Sequence, residues 1–304
     1  MVKERLSIMF SKASIIILKI ASRLPLNVLY LFCNISYLLV YHIFRYRRKY
    51  VYMNLSNSFP DKSNKEIKKT AQDFYRYFCE LIAEVIKLQT ISFSELRRRC
   101  VFTPESTTVL NRFYQEGKSI MIVMGHVGNW EWAGASWPLS QKHNVITAYK
   151  PLKNKLFDDL TLHVRERTGN TLASMRAIPK ELYRNINRIK AVALISDQTP
   201  SPEHAYWINF LNQETPFFKG PELISKKYNM SVFWGSVMRT KKGHYSIDIK
   251  LIAENPNSEE FSREGTLTKL HASYLERDIL SLPETWLWTH RRWKHSRPAA
   301  EQLI

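Results

Sequence analysis

Between Pro25 and Phe44 the chain reads PLNVLYLFCNISYLLVYHIF, twenty residues without Asp, Glu, Lys or Arg. A helix rises about 1.5 Å per residue, so such a run has the length to cover the roughly 30 Å hydrocarbon core of a bilayer. Asn27, Asn34 and His42 dilute the run, and the preceding Ser14–Leu18 stretch is cut off by Lys19 and Arg23. That pattern suits a helix lying in the membrane interface as well as one that spans. A charge-poor helix of a soluble core is the third reading. Basic residues flank both ends, Lys12, Lys19 and Arg23 before and Arg45, Arg47, Arg48 and Lys49 after, so charge asymmetry gives no clear orientation. The denser RYRRK cluster points to a cytoplasmic domain behind it. No small-residue cleavage pattern follows a short apolar core, so the segment is expected to stay in the mature chain.

Charge narrows the partners. With 45 Lys and Arg against 27 Asp and Glu, the formal net charge is +18, which attracts nucleic acid, anionic headgroups or an acidic protein. Hydrophobic residues at 44% and only 9 Gly among 304 residues exclude a low-complexity or broadly disordered chain. The three cysteines, Cys33, Cys79 and Cys100, are odd in number and far apart, so reduced, buried thiols in a cytoplasmic compartment are expected.

Behind the apolar run, Asp61–Arg99 reads as helix, with Ile67, Phe74, Phe78, Leu81 and Val85 recurring mostly at three- and four-residue steps. Short apolar runs then alternate with helical stretches: Ser119–Met124, Asn144–Tyr149, helix over Leu156–Arg167 and Ile178–Arg188, and Ala191–Ser196. The rhythm predicts an α/β fold with a buried, largely parallel or mixed sheet covered by helices. Met230–Met238 and His244–Ile252 read as a strand pair around a basic turn, and a helix is expected over Ser262–Leu280. The expected organisation is a membrane-anchoring segment over residues 1–50 and one catalytic domain over 51–304.

In MIVMGHVGNWEWAG a strand-like run ends at Gly125 and delivers His126 to a turn, with Glu131 five residues on. Sites in open α/β sheets gather at such strand ends. Five helical residues turn through about 500°, so the two can meet only if His126 is on the loop and Glu131 in the first turn, with Asn129 as cap. A carboxylate would then fix the imidazole tautomer and leave the other ring nitrogen to take a proton from a hydroxyl. The same two residues also describe a structural histidine with a satisfied hydrogen bond. A metal site is disfavoured, because the HExxH spacing is absent.

The spelling GHVGNWEWAG, together with NLSNSFP (Asn54–Pro60), YKPLKNKLFDDLTLHVRERTG, ISDQ (Ile195–Gln198) and PETWLWTHRRWK, resembles the bacterial lipid A biosynthesis late acyltransferase family, which carries an H-x4-D/E motif and adds secondary acyl chains. The match runs from about Arg45 to Lys294. It implies a glycerolipid-acyltransferase-like fold, His126 as general base and Glu131 as its carboxylate partner, with Arg165 and Asp197 at further functional positions. Physically, Arg165 could orient a phosphate or stabilise an oxyanion, and an Arg165–Asp197 pair would satisfy both charges. Asn129, Arg167, Gln198, Arg291 and Arg292 are candidates for substrate binding. In WLWTHRRWK, Trp286, Trp288 and Trp293 interleave with bases, as suits phosphates beside acyl chains at a membrane surface.

The expected activity is membrane-associated O-acyl transfer from an acyl carrier protein thioester to a hydroxyl of a lipid A precursor, in lipopolysaccharide biosynthesis at the cytoplasmic face of the inner membrane. No cofactor or metal is implied, and the partners are acyl carrier protein, an anionic glycolipid and the membrane, with no nucleic acid. The alternatives are an acyltransferase for a lysophospholipid or aminolipid, and a non-catalytic basic protein that binds membranes or anionic ligands.

Overall fold

The run Ile120–Met124 lacks polar alternation, as a strand covered on both faces requires, and it lies at the middle of a seven-stranded sheet. The computed structural model describes residues 2–184, 187–301 and 303. In chain order the elements are α1 (Val2–Arg23), α2 (Leu26–Tyr37) continued by a π-helical turn (Leu38–Ile43), α3 (Arg48–Ser58), α4 (Asn64–Lys87), α5 (Phe93–Arg99), β1 (Cys100–Phe102), α6 (Pro104–Gln115) and β2 (Ile120–Met124). Then follow α7 (Trp130–Ser140), β3 (Asn144–Ala148), α8 (Lys155–Glu166), β4 (Thr171–Ala173), α9 (Ile178–Tyr183), β5 (Lys190–Ile195), β6 (Ala205–Phe210) and β7 (Gln213–Phe218). The chain ends through α10 (Gly220–Lys227), β8 (Ser231–Lys241), β9 (His244–Ala253) and α11 (Thr266–Ser281).

The sheet order is β1-β9-β8-β2-β5-β3-β4, with β6 and β7 as a separate antiparallel hairpin. All pairs in the large sheet are parallel except β8 with β9, so it is a mixed α/β sheet, as the rhythm of the sequence predicts. Helix starts follow local chemistry. Ser63 and Glu66 form a reciprocal capping box on α4, and Ser92 and Thr103 cap α5 and α6.

Two expected helices are shorter than their patterns. Asp61–Arg99 is divided into α4 and α5, because Ser92 accepts the Glu95 amide and starts a new helix. The helix expected over Ile178–Arg188 ends at Tyr183, and residues 185 and 186 within that range lie outside the described residues.

Helix α2 is two-faced. Leu26, Leu29, Tyr30, Cys33 and Tyr37 are buried, whereas Leu31, Phe32 and Ile35 are exposed. Leu26–Ile43 is long and apolar enough to cross a membrane, with 33% of it buried within the molecule. The end of α1 is tied down by Lys87, whose Nζ donates to the carbonyls of Ser22 and Leu24 at 3.0 and 2.9 Å, a cationic cap on a helix C-terminus.

Candidate active site

Strand register creates the central pair. β2 and β5 are parallel neighbours with Met124 opposite Ile195, so the chain two residues beyond each tip is again side by side, at His126 and Asp197. The imidazole Nδ1 lies 2.5 Å from Asp197 Oδ1, and the backbone N–H of His126 donates to Oδ2 at 2.7 Å. The indole of Trp286 also donates to Oδ2, at 2.8 Å. Burial pushes the Asp197 carboxyl up, but the charge and hydrogen bonds of His126 and the Trp286 bond outweigh it, holding the group at about 2. An ionised Asp197 can only accept, so Nδ1 carries a proton, and in the neutral ring the lone pair is on Nε2. Gln198 Nε2 lies 3.4 Å from that nitrogen.

Two glycines permit this loop. Gly128 has φ +63°, and a Cβ there would lie 2.0 Å from the Val237 carbonyl oxygen, so only glycine fits. A Cβ on Gly125 would lie 2.4 Å from Leu275 Cδ1 and 3.3 Å from Asp197 Oδ2, so the Leu275 side chain would have to move and the carboxylate to give way. The loop is further held by the C-terminal tail: Val127 bridges Trp286, and Gly128 N–H donates to Thr285 O at 3.1 Å.

Glu131 does not reach His126. It sits in the first turn of α7 and takes two bonds from Arg165 of α8, from Nε at 2.9 Å and Nη2 at 2.5 Å. The expected pairings are therefore exchanged: Asp197 orients the histidine, and Glu131 holds Arg165. The reason is geometric, since Asp197 leaves the strand next to β2 whereas Glu131 is carried away on a helix. Partial burial would pull the Arg165 guanidinium down, but the hydrogen bonds and charge of Glu131 outweigh it and hold it above its ordinary value.

Both pairs meet a cavity of about 980 Å³. Its wall is largely apolar, with Leu18 from α1, Val85 and Ile86 from α4, Leu160 and Val164 from α8, and Leu194 and Phe218. His126, Glu131, Arg165 and Gln198 also line it, as do Lys150 and Arg176. Trp130 stands edge-on to His126, with ring centroids 4.8 Å apart. Among the described residues, no group of three or more His, Cys, Asp or Glu is placed to hold a metal ion.

The other predicted binding residues are elsewhere. Asn129 is fully buried, caps α7 by accepting the Trp132 amide at 2.9 Å and donates to Glu84 at 2.7 Å. Arg167 donates to the carbonyls of Leu88 and Ile91 beyond α4. Arg291 is exposed and lies over the Tyr50 ring at 4.3 Å. Arg292 is fully buried over the Phe217 ring at 4.7 Å, and burial pulls its guanidinium down to about 9, partly offset by the charge of Asp197. Trp286 and Trp288 are core residues at 3% and 0% exposure and pack under the site, while Trp293 is half-buried and donates to Thr215 Oγ1 at 2.7 Å.

Sequence reasoning missed Glu84. It is fully buried on α4, and its carboxylate accepts from Tyr30 (2.7 Å), Asn129 (2.7 Å) and Tyr245 (2.6 Å), while its carbonyl accepts from the Trp132 indole (2.8 Å). A signal existed: Glu84 falls three residues after Leu81 and seven after Tyr77 on the buried stripe of α4, where an acid needs dedicated partners.

The model of the family described as bacterial lipid A biosynthesis acyltransferase matches residues 4–295. Over 260 residues the chain is 23% identical to a lipid A biosynthesis palmitoleoyltransferase of Escherichia coli strain K12, covering 83% of this chain and 79% of that one. It has the same identity and coverage with a lipid A biosynthesis acyltransferase of Shigella flexneri. With the family's model matched over nearly its whole length, the chain belongs to the bacterial lipid A biosynthesis acyltransferases and is a transferase of acyl groups.

Proposed function

We propose that the protein moves a fatty acyl group from an acyl carrier protein thioester to a hydroxyl of a lipid A precursor, at the cytoplasmic face of the inner membrane. The observation that carries this reading is a histidine whose Nδ1 is committed to a buried carboxylate while its ring lines a large apolar cavity. His126 Nε2 takes the hydroxyl proton as the oxygen attacks the thioester carbonyl carbon. The new C–O bond forms, the C–S bond breaks through a tetrahedral oxyanion, and the leaving thiolate takes the proton back from His126. Asp197 stabilises the imidazolium between these two transfers. No cofactor enters these steps.

Arg165, which Glu131 aligns at the cavity wall, would orient an anionic or oxyanionic group of the substrates. Gln198 would hold the acceptor hydroxyl beside the base. The exposed Lys150 and Arg176 at the cavity, with the net charge of +18, favour approach of an acidic carrier protein and an anionic lipid.

The test uses membranes holding the wild type or His126→Ala, labelled acyl carrier protein thioesters, and either a tetra-acylated lipid A precursor or a lysophospholipid. A fatty-acyl mass increment on the precursor is expected, reduced about 10²–10⁴-fold in the variant. An increment on the lysophospholipid alone would overturn the acceptor, and equal rates for both proteins would overturn the role of His126.

A further inference from the structure

The unit formed by α2 and its π-helical turn is attached to α4 along its length. Tyr30 donates to Glu84, Cys33 Sγ donates to the Cys79 carbonyl at 3.4 Å, Arg76 lies over the Tyr37 ring at 4.8 Å, and the Tyr41 and Tyr75 rings are 5.2 Å apart. Partner numbers rise on α2 as they fall on α4, so the two helices run antiparallel in continuous contact. The eighteen residues Leu26–Ile43 are about 27 Å long. If they crossed a bilayer, the α4 segment beside them would have to enter it too. That segment carries Asp73, Arg76, Glu80 and Glu84, and Asp73 forms exposed ion pairs with Lys69 and Arg76. Charges at bilayer depth on a helix that faces neither a pore nor other spanning helices are expensive.

The opposite face of α2 is unlike α4. Leu31, Phe32, Ile35, Leu38, Leu39, Ile43 and Phe44 are exposed with no charged residue among them. The face ends at Arg45 and Arg47, whose positive φ of 47° and 51° turns the chain back toward the molecule, and continues into Arg48 and Lys49. Helix α1 repeats the arrangement: Leu18 lines the cavity while Ile16, Ile17 and Ile20 are exposed next to Lys19 and Arg23. An apolar face bordered by bases is complementary to a lipid leaflet with anionic headgroups.

We propose that α1 and α2 bind an anionic phospholipid bilayer in plane from one side, immersing their outer apolar faces in a single leaflet with the Arg45–Lys49 cluster at phosphate level, and do not cross it. Leu18 then belongs to a helix that forms cavity wall on one face and membrane contact on the other, so an acyl chain in the cavity is one helix away from the leaflet. This rests on the membrane attachment proposed above, and the test separates the two.

Cys33, Cys79 and Cys100 are buried, which permits single reporter cysteines. Lys12→Cys, on the basic border of α1 with Lys19 and Arg23 and off the immersed face, and Asp61→Cys, exposed residues before and after the apolar segment, are treated with a membrane-impermeant maleimide in right-side-out and inverted vesicles. Labelling of both positions from the same face is expected, and labelling from opposite faces would overturn in-plane binding while leaving attachment intact. In flotation with vesicles of phosphatidylethanolamine and phosphatidylglycerol, the full-length protein is expected to bind, and Leu31→Asp with Ile35→Asp to weaken binding about tenfold or more. Unchanged binding of the double variant would overturn the immersed face, and no flotation of the wild type would overturn attachment itself.

Discussion

Asp197 and Glu84 are both buried carboxylates that reach residues of the same short segment, His126–Glu131, yet their surroundings drive them in opposite directions. Asp197 accepts from the imidazole, from a backbone N–H and from an indole, and is held at about 2. Glu84 is raised by burial, and the hydrogen bonds from Tyr245, Tyr30 and Asn129 offset this only in part. One carboxylate is matched to a group that changes charge during a proton transfer. The other touches only neutral donors, and they come from α2, β9 and the cap of α7. A buried acid with a switching partner does chemistry, whereas one ringed by fixed dipoles holds elements in register.

The largest effect that separates them is on turnover. Asp197→Asn keeps the shape but puts an amide where an acceptor is needed, so His126 loses its tautomer and the support of its protonated form. The expected loss in kcat is about 10³-fold or more, with KM for the thioester little changed and the melting temperature near wild type. Steady-state kinetics with both substrates varied measures this, and a loss confined to KM would place Asp197 in binding.

Glu84→Ala is expected to do the reverse. It strands two tyrosine hydroxyls and the Asn129 amide and leaves a void, at about 3–5 kcal/mol of stability, while kcat of the folded fraction stays within about tenfold. Glu84→Gln, which keeps the shape and one acceptor, should lose only about 1–2 kcal/mol. Denaturant titration in detergent compares the two. A Glu84→Gln protein that is fully stable but as inactive as Asp197→Asn would erase the distinction.

How much of this was legible depended on range. β2, β3, β5 and the β8–β9 pair announce themselves as apolar runs, whereas β1 has three residues and β7 carries Pro216 in a half-polar sequence, so neither stands out. His126 was visible because it sits just past an apolar run, and Asp197, which also follows one, was marked by the family resemblance. Their partnership was not, because it is set by the register of two strands 71 residues apart. Sequence proximity favoured Glu131 for His126, and proximity is a poor guide where a helix begins between two residues. The tail misled for a related reason: alternating tryptophan and arginine reads as an interface, but Trp286 is consumed by Asp197 and Val127, and Arg292 by the core.

An effect smaller than that of Glu84→Ala is expected on the pH dependence of stability, and it rests on groups outside both networks. His271 of α11 is fully buried beside Trp234 and Phe217, with no hydrogen-bond partner for either nitrogen among the described residues, and burial holds it down to about 3. Its unfolded counterpart titrates near 6.5, so below that pH the unfolded chain binds a proton that the folded chain refuses. Stability is therefore full above about pH 6.5 and falls toward pH 3, by about 1.4 kcal/mol per pH unit for one such histidine. Asp197 cannot account for a loss in this range, because its stabilisation is present above about pH 3.9 and disappears only as pH falls through about 2. Glu84 has the other sign, since a raised carboxyl gains protons on folding and favours the folded state as pH drops. Unfolding free energies from denaturant titration between pH 7 and 5 should decline for the wild type and decline less for His271→Phe, by a difference of about 2 kcal/mol at pH 5. His143 and His290, each held near 4 by burial, should leave a residual slope in that variant. If Asp197→Asn flattened the curve instead, the charge on Asp197 would be titrating near neutrality, and the contrast between the two carboxylates would fall with it.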